Sequence, residues 1–192
     1  MKLTKKRIGT DRKAGALSLW GYKGPPLTKK LKGTRFVDTS DLIWSMRLIK
    51  SPTEIAFMRE SSKWANLAIS LMQEYAYEGT WDVEAELTAA TEASAIMKRT
   101  LGSDYIPKRS IIPVSAAFRG QIGEMSAIPH AMATKHVIKK GDVIIAETGV
   151  DIGGYTCELE RTMIVGKPTD KQREYFDAMV RAQDAAFNAF KP

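Results

Sequence analysis

The sequence predicts an α+β fold: an antiparallel β-hairpin in a sheet covered by helices. Three stretches lead there. Residues 141–165 hold two apolar or alternating runs around Gly153-Gly154, the pattern of two strands and a tight turn. Residues 51–76 recur at helical spacing, through Ile55, Met58, Ala65, Ala68, Met72 and Tyr75. Residues 169–190 repeat the helical pattern with Phe176, Met179, Val180, Phe187 and Phe190.

In chain order, Lys6 to Gly9 reads as a short strand, Leu27 to Leu31 as a short helix and Arg35 to Asp38 as a second strand. Asp38 to Ser40 then caps a short helix through Ile43 and Met46. This opening segment has too few apolar residues for its own core, so residues 1–49 are expected to end an N-terminal domain and residues 50–192 to form a second body. Ser51-Pro52-Thr53-Glu54 is a helix start with a capping box. Thr80 is placed to cap the next helix, which carries Asp82 and Glu84 in its first turn, Lys98 and Arg99 in its last, and Gly102 as its stop. Ser110 to Ala117 is β-like, residues 119–135 are loop-like, and Thr169 with Gln172 forms another capping box.

The hairpin concentrates charge. With Ile152-Gly153 as its loop, Glu147 lies opposite Glu158, and Glu160 points to the same face two residues on. Val143, Ile145 and Ile164 share that face. Opposed carboxylates repel, so either solvent bathes them or a cation, a shared proton or a cationic substrate compensates. His130 follows a proline just before the hairpin and is placed to fold over the carboxylates, whereas His136, in KHVIKK, reads as surface. Cys157 points away from the glutamates and is no candidate nucleophile.

Composition narrows the classes. No apolar run approaches the ~18 residues of a membrane span, and the basic start has no apolar core after it, so neither a membrane span nor a secretory signal is expected. A single cysteine excludes an internal disulfide and a multi-cysteine zinc site, and points to the cytoplasm. Residues 1–50 carry 13 Lys/Arg against 3 Asp/Glu, and the remainder 16 against 19. The basic end holds Trp20, Tyr22, Phe36 and Trp44, yet no nucleic-acid-binding motif accompanies it, so a solvated surface is the better reading. There is no HExxH, Walker loop or GxSxG.

Three segments, RLIKSPTEIAFMRESSKWAN, PHAMATKHVIKKGDV and ETGVDIGGYTCELERTMIVGKPTDKQREYF, resemble in order and spacing the pita-bread family. That family holds Xaa-Pro dipeptidase (prolidase), aminopeptidase P, methionine aminopeptidase and creatinase. Residues 1–46 are similar to the end of the N-terminal domain in its prolidase–creatinase branch. The resemblance implies the first half of a curved-sheet catalytic domain, with the second half absent, and hence a fragment inactive alone. It implies Glu147 and Glu158 as ligands of divalent metal (Mn, Co or Zn), His130 as the catalytic and substrate-binding histidine, and Glu160 as a substrate-binding residue. The peptidases have Asp at both metal positions, so each glutamate here carries its carboxylate one methylene further from the backbone.

The leading expectation is an Xaa-Pro peptidase-like metallohydrolase of the prolidase and aminopeptidase P type. The alternatives are a metal-independent C–N hydrolase of small molecules, like creatinase or an ectoine hydrolase, and a non-catalytic pita-bread binding module. The expected partners are a small peptide or small-molecule substrate and, in the complete protein, a second copy in a homodimer, with neither nucleic acid nor membrane.

Overall fold

The computed structural model describes residues 6–10, 25, 27–108, 110–131 and 135–191. Most of the basic start, with Trp20 and Tyr22, lies outside them, as do residues 132–134 of the segment after His130. The chain divides into two compact units between Thr53 and Glu54.

In the first unit, β1 (Arg7–Thr10) pairs in parallel with β2 (Arg35–Asp38), and the described residues also form two helices, α1 (Leu27–Lys30) and α2 (Ser40–Leu48). Asp38 holds the start of α2, its Oδ1 accepting from the Ser40 N–H at 3.0 Å. Neither helix has a fully buried residue, which matches the shortage of apolar side chains in this segment.

The second unit carries α3 (Pro52–Tyr75), α4 (Asp82–Leu101), β3 (Val114–Ala117), β4 (Val143–Ile152), β5 (Tyr155–Ile164) and α5 (Asp170–Ala189). The three strands form an antiparallel sheet in the order β3-β4-β5. Alternation along β4 divides the sheet: Ile144, Ala146, Thr148, Val150 and Ile152 are buried, and the odd-numbered residues before Asp151 are only half-buried. The buried face packs in one core with Ala65, Ala68 and Met72 of α3 and Ala85, Ala89, Ala93 and Met97 of α4. The small residues facing the sheet let these helices approach it closely. The α+β expectation therefore holds, with helices α3 and α4 on one sheet face.

Several local expectations change. The β-like stretch from Ser110 yields a strand only over Val114–Ala117. The residue before α4 is Trp81 rather than Thr80. The Thr80 backbone is committed elsewhere, its carbonyl accepting from the Ile138 N–H at 2.9 Å, and its hydroxyl is buried without a partner. His136 is half-buried, with Nε2 2.8 Å from Asp142 Oδ2. The Thr169–Gln172 capping box and the Gly102 stop form as expected.

Candidate active site

The hairpin turn is Gly153-Gly154, one residue later than the expected loop, with φ of 62° and 91°. A two-residue turn that matches strand twist needs positive φ at both positions, which this Gly-Gly pair supplies. Asp151 completes it by accepting from the Gly154 N–H at 2.7 Å. Moving the loop by one residue moves the pairing by two. Glu147 thus lies opposite Glu160, and Glu158 lies opposite Gly149. The expected Glu147–Glu158 opposition is corrected to a diagonal. A shift of two preserves the faces, so all three glutamates still share one side.

Helix α3 fixes the hairpin through Ser61, which is fully buried. Its hydroxyl donates to the Val150 carbonyl at 2.6 Å and accepts from the Cys157 N–H at 2.9 Å. One side chain thus ties both strands to the helix. Cys157 turns its side chain to the core side, as its parity requires.

The residues between β3 and the hairpin produce an unexpected feature. Ala117 faces Glu147 and Ile122 faces Ile144. Residues 117–122, six of them, therefore oppose only the four residues 144–147, so two extra residues bulge out of the pairing. Phe118 turns inward and is fully buried. Its N–H donates to Glu86 Oε1 at 2.5 Å. Burial is the largest influence on the Glu86 carboxyl and holds it above the ordinary value, the Phe118 hydrogen bond opposing and Asp82 adding to the rise. Arg119 follows in the left-handed region at φ 50° and turns outward to the glutamate face.

There Arg119 makes three contacts. Its Nε lies 2.7 Å from Glu147 Oε2, its Nη2 3.9 Å from Glu158 Oε1, and its Nη1 2.7 Å from His130 Nδ1. His130 also adopts a left-handed backbone, φ 53°. Among the described residues, Arg119 and His130 are the only non-glycine residues in that region. Such conformations cost about 1–3 kcal/mol each and persist where the surroundings enforce them. A guanidinium only donates, so His130 Nδ1 must accept, and the ring proton sits on Nε2.

The structure thus brings Glu147, Glu158, Glu160 and His130 to one face. Glu147 is the shielded member, 14% exposed at the side chain against 72% for Glu158. Burial raises the Glu147 carboxyl above the ordinary value; Arg119 opposes the rise, and Glu158 and Glu160 add to it. A cleft of about 420 Å³ adjoins the pair, lined by Ser110, Ser115, Glu147, Asp151 and Glu158 among others. That volume is in the range of small-molecule sites. Asp151 is buried there with one carboxylate oxygen lacking a partner.

As placed, these residues do not suit a divalent cation. Glu147 is already engaged by Arg119 at 2.7 Å, and a cation drawing on that carboxylate would have to displace the guanidinium. Sequence reasoning missed Arg119, Ser61 and Glu86. The first sits in a loop-like stretch, the second inside a helical stripe and the third among helix charges, where only the tertiary path shows their roles.

The chain is similar to Xaa-Pro dipeptidase from Pyrococcus horikoshii, with 30% identity over 166 residues, covering 86% of this chain and 44% of the relative. It is 25% identical over 175 residues to Xaa-Pro aminopeptidase from Escherichia coli, covering 86% of this chain and 37% of that protein. Among solved structures, prolidase from Pyrococcus furiosus superposes with a TM-score of 0.67 at 25% identity, over 93% of this chain and 48% of that one. Xaa-Pro dipeptidase from Bacillus anthracis gives 0.60 at 28% identity, over 81% and 40%. The chain therefore spans less than half the length of these relatives, and the expected first half of the pita-bread fold is what it forms. The model of metallopeptidase family M24 matches residues 56–192, which hold the three-stranded sheet, α4, α5 and all but the first turn of α3, and the chain belongs to that family.

Proposed function

We propose that this chain supplies one half of the active site of an amide-bond hydrolase of the Xaa-Pro dipeptidase type. The observation that carries the reading is the convergence of Glu147, Glu158, Glu160 and His130 on one open face beside a cleft of about 420 Å³. In this reading Glu160, exposed at the rim, and His130 contact the substrate. The His130 Nε2–H is free of Arg119 and donates a hydrogen bond to the carbonyl oxygen as it becomes an oxyanion. The chain spans less than half the length of the relatives it matches, so the proposed activity is that of the full-length protein.

The Arg119–Glu147 contact favours a second reading, a C–N hydrolase that works without metal. The relatives' peptidase names support the first, and the ion pair the second. Full-length protein assayed on Xaa-Pro dipeptides, with chelator and with added Mn²⁺, separates them. Hydrolysis only with Mn²⁺ supports the metallopeptidase, and undiminished hydrolysis in chelator supports the metal-free enzyme. Absence of hydrolysis in both sinks the Xaa-Pro reading. His130→Ala should lower kcat about 10²–10³-fold, the usual loss of an oxyanion donor; unchanged kcat removes His130 from the chemistry.

A further inference from the structure

We infer that Arg119 is the built-in cation of this site: it pairs with Glu147 and reaches Glu158 in place of a metal ion, and it orients His130 as a hydrogen-bond donor. Two observations carry this independently. The guanidinium lies between the carboxylates, 2.7 Å from Glu147 and 3.9 Å from Glu158. Arg119 and His130 also hold left-handed backbones, and the two side chains meet at 2.7 Å. A surface arginine reaching a carboxylate by chance needs no such conformation.

The cause is the two-residue bulge. Phe118 is fixed in the core, so the next residue must leave on the opposite side of the chain, where the glutamates lie. A planar fork with donors on three nitrogens then reaches two acids and one imidazole at once. A divalent ion drawing on Glu147 would have to displace that fork, and its like charge would meet a guanidinium held at contact distance. Arg119 acts through its neighbours, so it is a positioning residue.

The inference rests on the hydrolase reading for the meaning of the site, but its test does not use turnover. Mn²⁺ binding to full-length wild-type protein and Arg119→Met is measured by calorimetry, and the His130 ring nitrogens are followed by ¹⁵N NMR. Arg119→Met should bind Mn²⁺ at least tenfold more tightly than wild type. Its His130 Nδ1 should lose the signature of an acceptor bonded to a guanidinium. Equal Mn²⁺ affinity in the two proteins, or tighter binding by wild type, overturns the inference. So do unchanged His130 signals. If Arg119→Met fails to fold, Arg119→Lys replaces it. The retained charge should keep Mn²⁺ binding as weak as in wild type, while the lost fork should still alter the His130 signals. Tight Mn²⁺ binding by wild type with dipeptide hydrolysis would remove this inference and keep the hydrolase; the reverse pattern would do the opposite.

Discussion

Glu86 shows how much one side chain sets in this protein. Its carboxylate holds the backbone of the bulge through the Phe118 N–H, while burial raises its protonation midpoint above the ordinary 4.5. The folded value exceeds the unfolded one, so the protonated carboxyl favours folding below pH 4.5, and that contribution is lost as pH rises through the folded midpoint. Glu86→Gln keeps an acceptor for Phe118 and removes the charge. Its melting temperature should gain on wild type between pH 4.5 and 7 and match it in more acid solution; calorimetry across that range decides, and a constant gap would show that burial of the charge is not the cause. Glu86→Ala leaves the buried Phe118 N–H unpaired and should cost about 1–3 kcal/mol by urea unfolding. The glutamate face and His130 were legible in the sequence because strand parity and a two-residue period require only local regularity. Arg119 was not, since its direction depends on where Phe118 finds the core.

At the scale of the element, the hairpin's faces could be read but not its register. The pair Gly153-Gly154 contained the information: both positions need positive φ, and only a loop made of both satisfies the turn. Substitutions should separate the two positions from the rest of the strand. Gly154→Val places a β-branched residue at φ 91° and should destabilise the chain by about 1–3 kcal/mol. Gly153→Asn, at φ 62°, is a residue that tolerates the left-handed region and should cost much less. Equal losses in urea unfolding would count against this turn. Ser61→Ala removes the hydroxyl shared by Val150 and Cys157 and takes one hydrogen bond from each of these cross-strand partners. A loss of about 2–3 kcal/mol is expected, and a loss under about 0.5 kcal/mol, typical of a surface change, would show that the bridge does not form.

For the whole molecule, the helical stripes have different fates. The middle of α3 is buried on the sheet through Ala65, Ala68 and Met72. The stripe of α5 is not: Phe176, Met179 and Phe187 are 49%, 68% and 65% exposed, and the helix has no buried residue. Sequence periodicity gave both stripes the same weight, because it reports an apolar face and not the surface that meets it. The 192-residue chain should therefore self-associate, with a weight-average mass by light scattering above 21.3 kDa. Phe176→Glu with Phe187→Glu should return it towards that mass, and a wild-type chain monomeric at all concentrations would contradict this. The bulge adds a consequence in time. Phe118 is sealed in the core beside the residue that reaches the site, so Arg119 cannot swing far unless the core itself loosens. Deuterium should therefore enter at the Phe118 amide as slowly as at amides in the middle of α4, on the schedule of global opening, although the guanidinium one residue away is in contact with water.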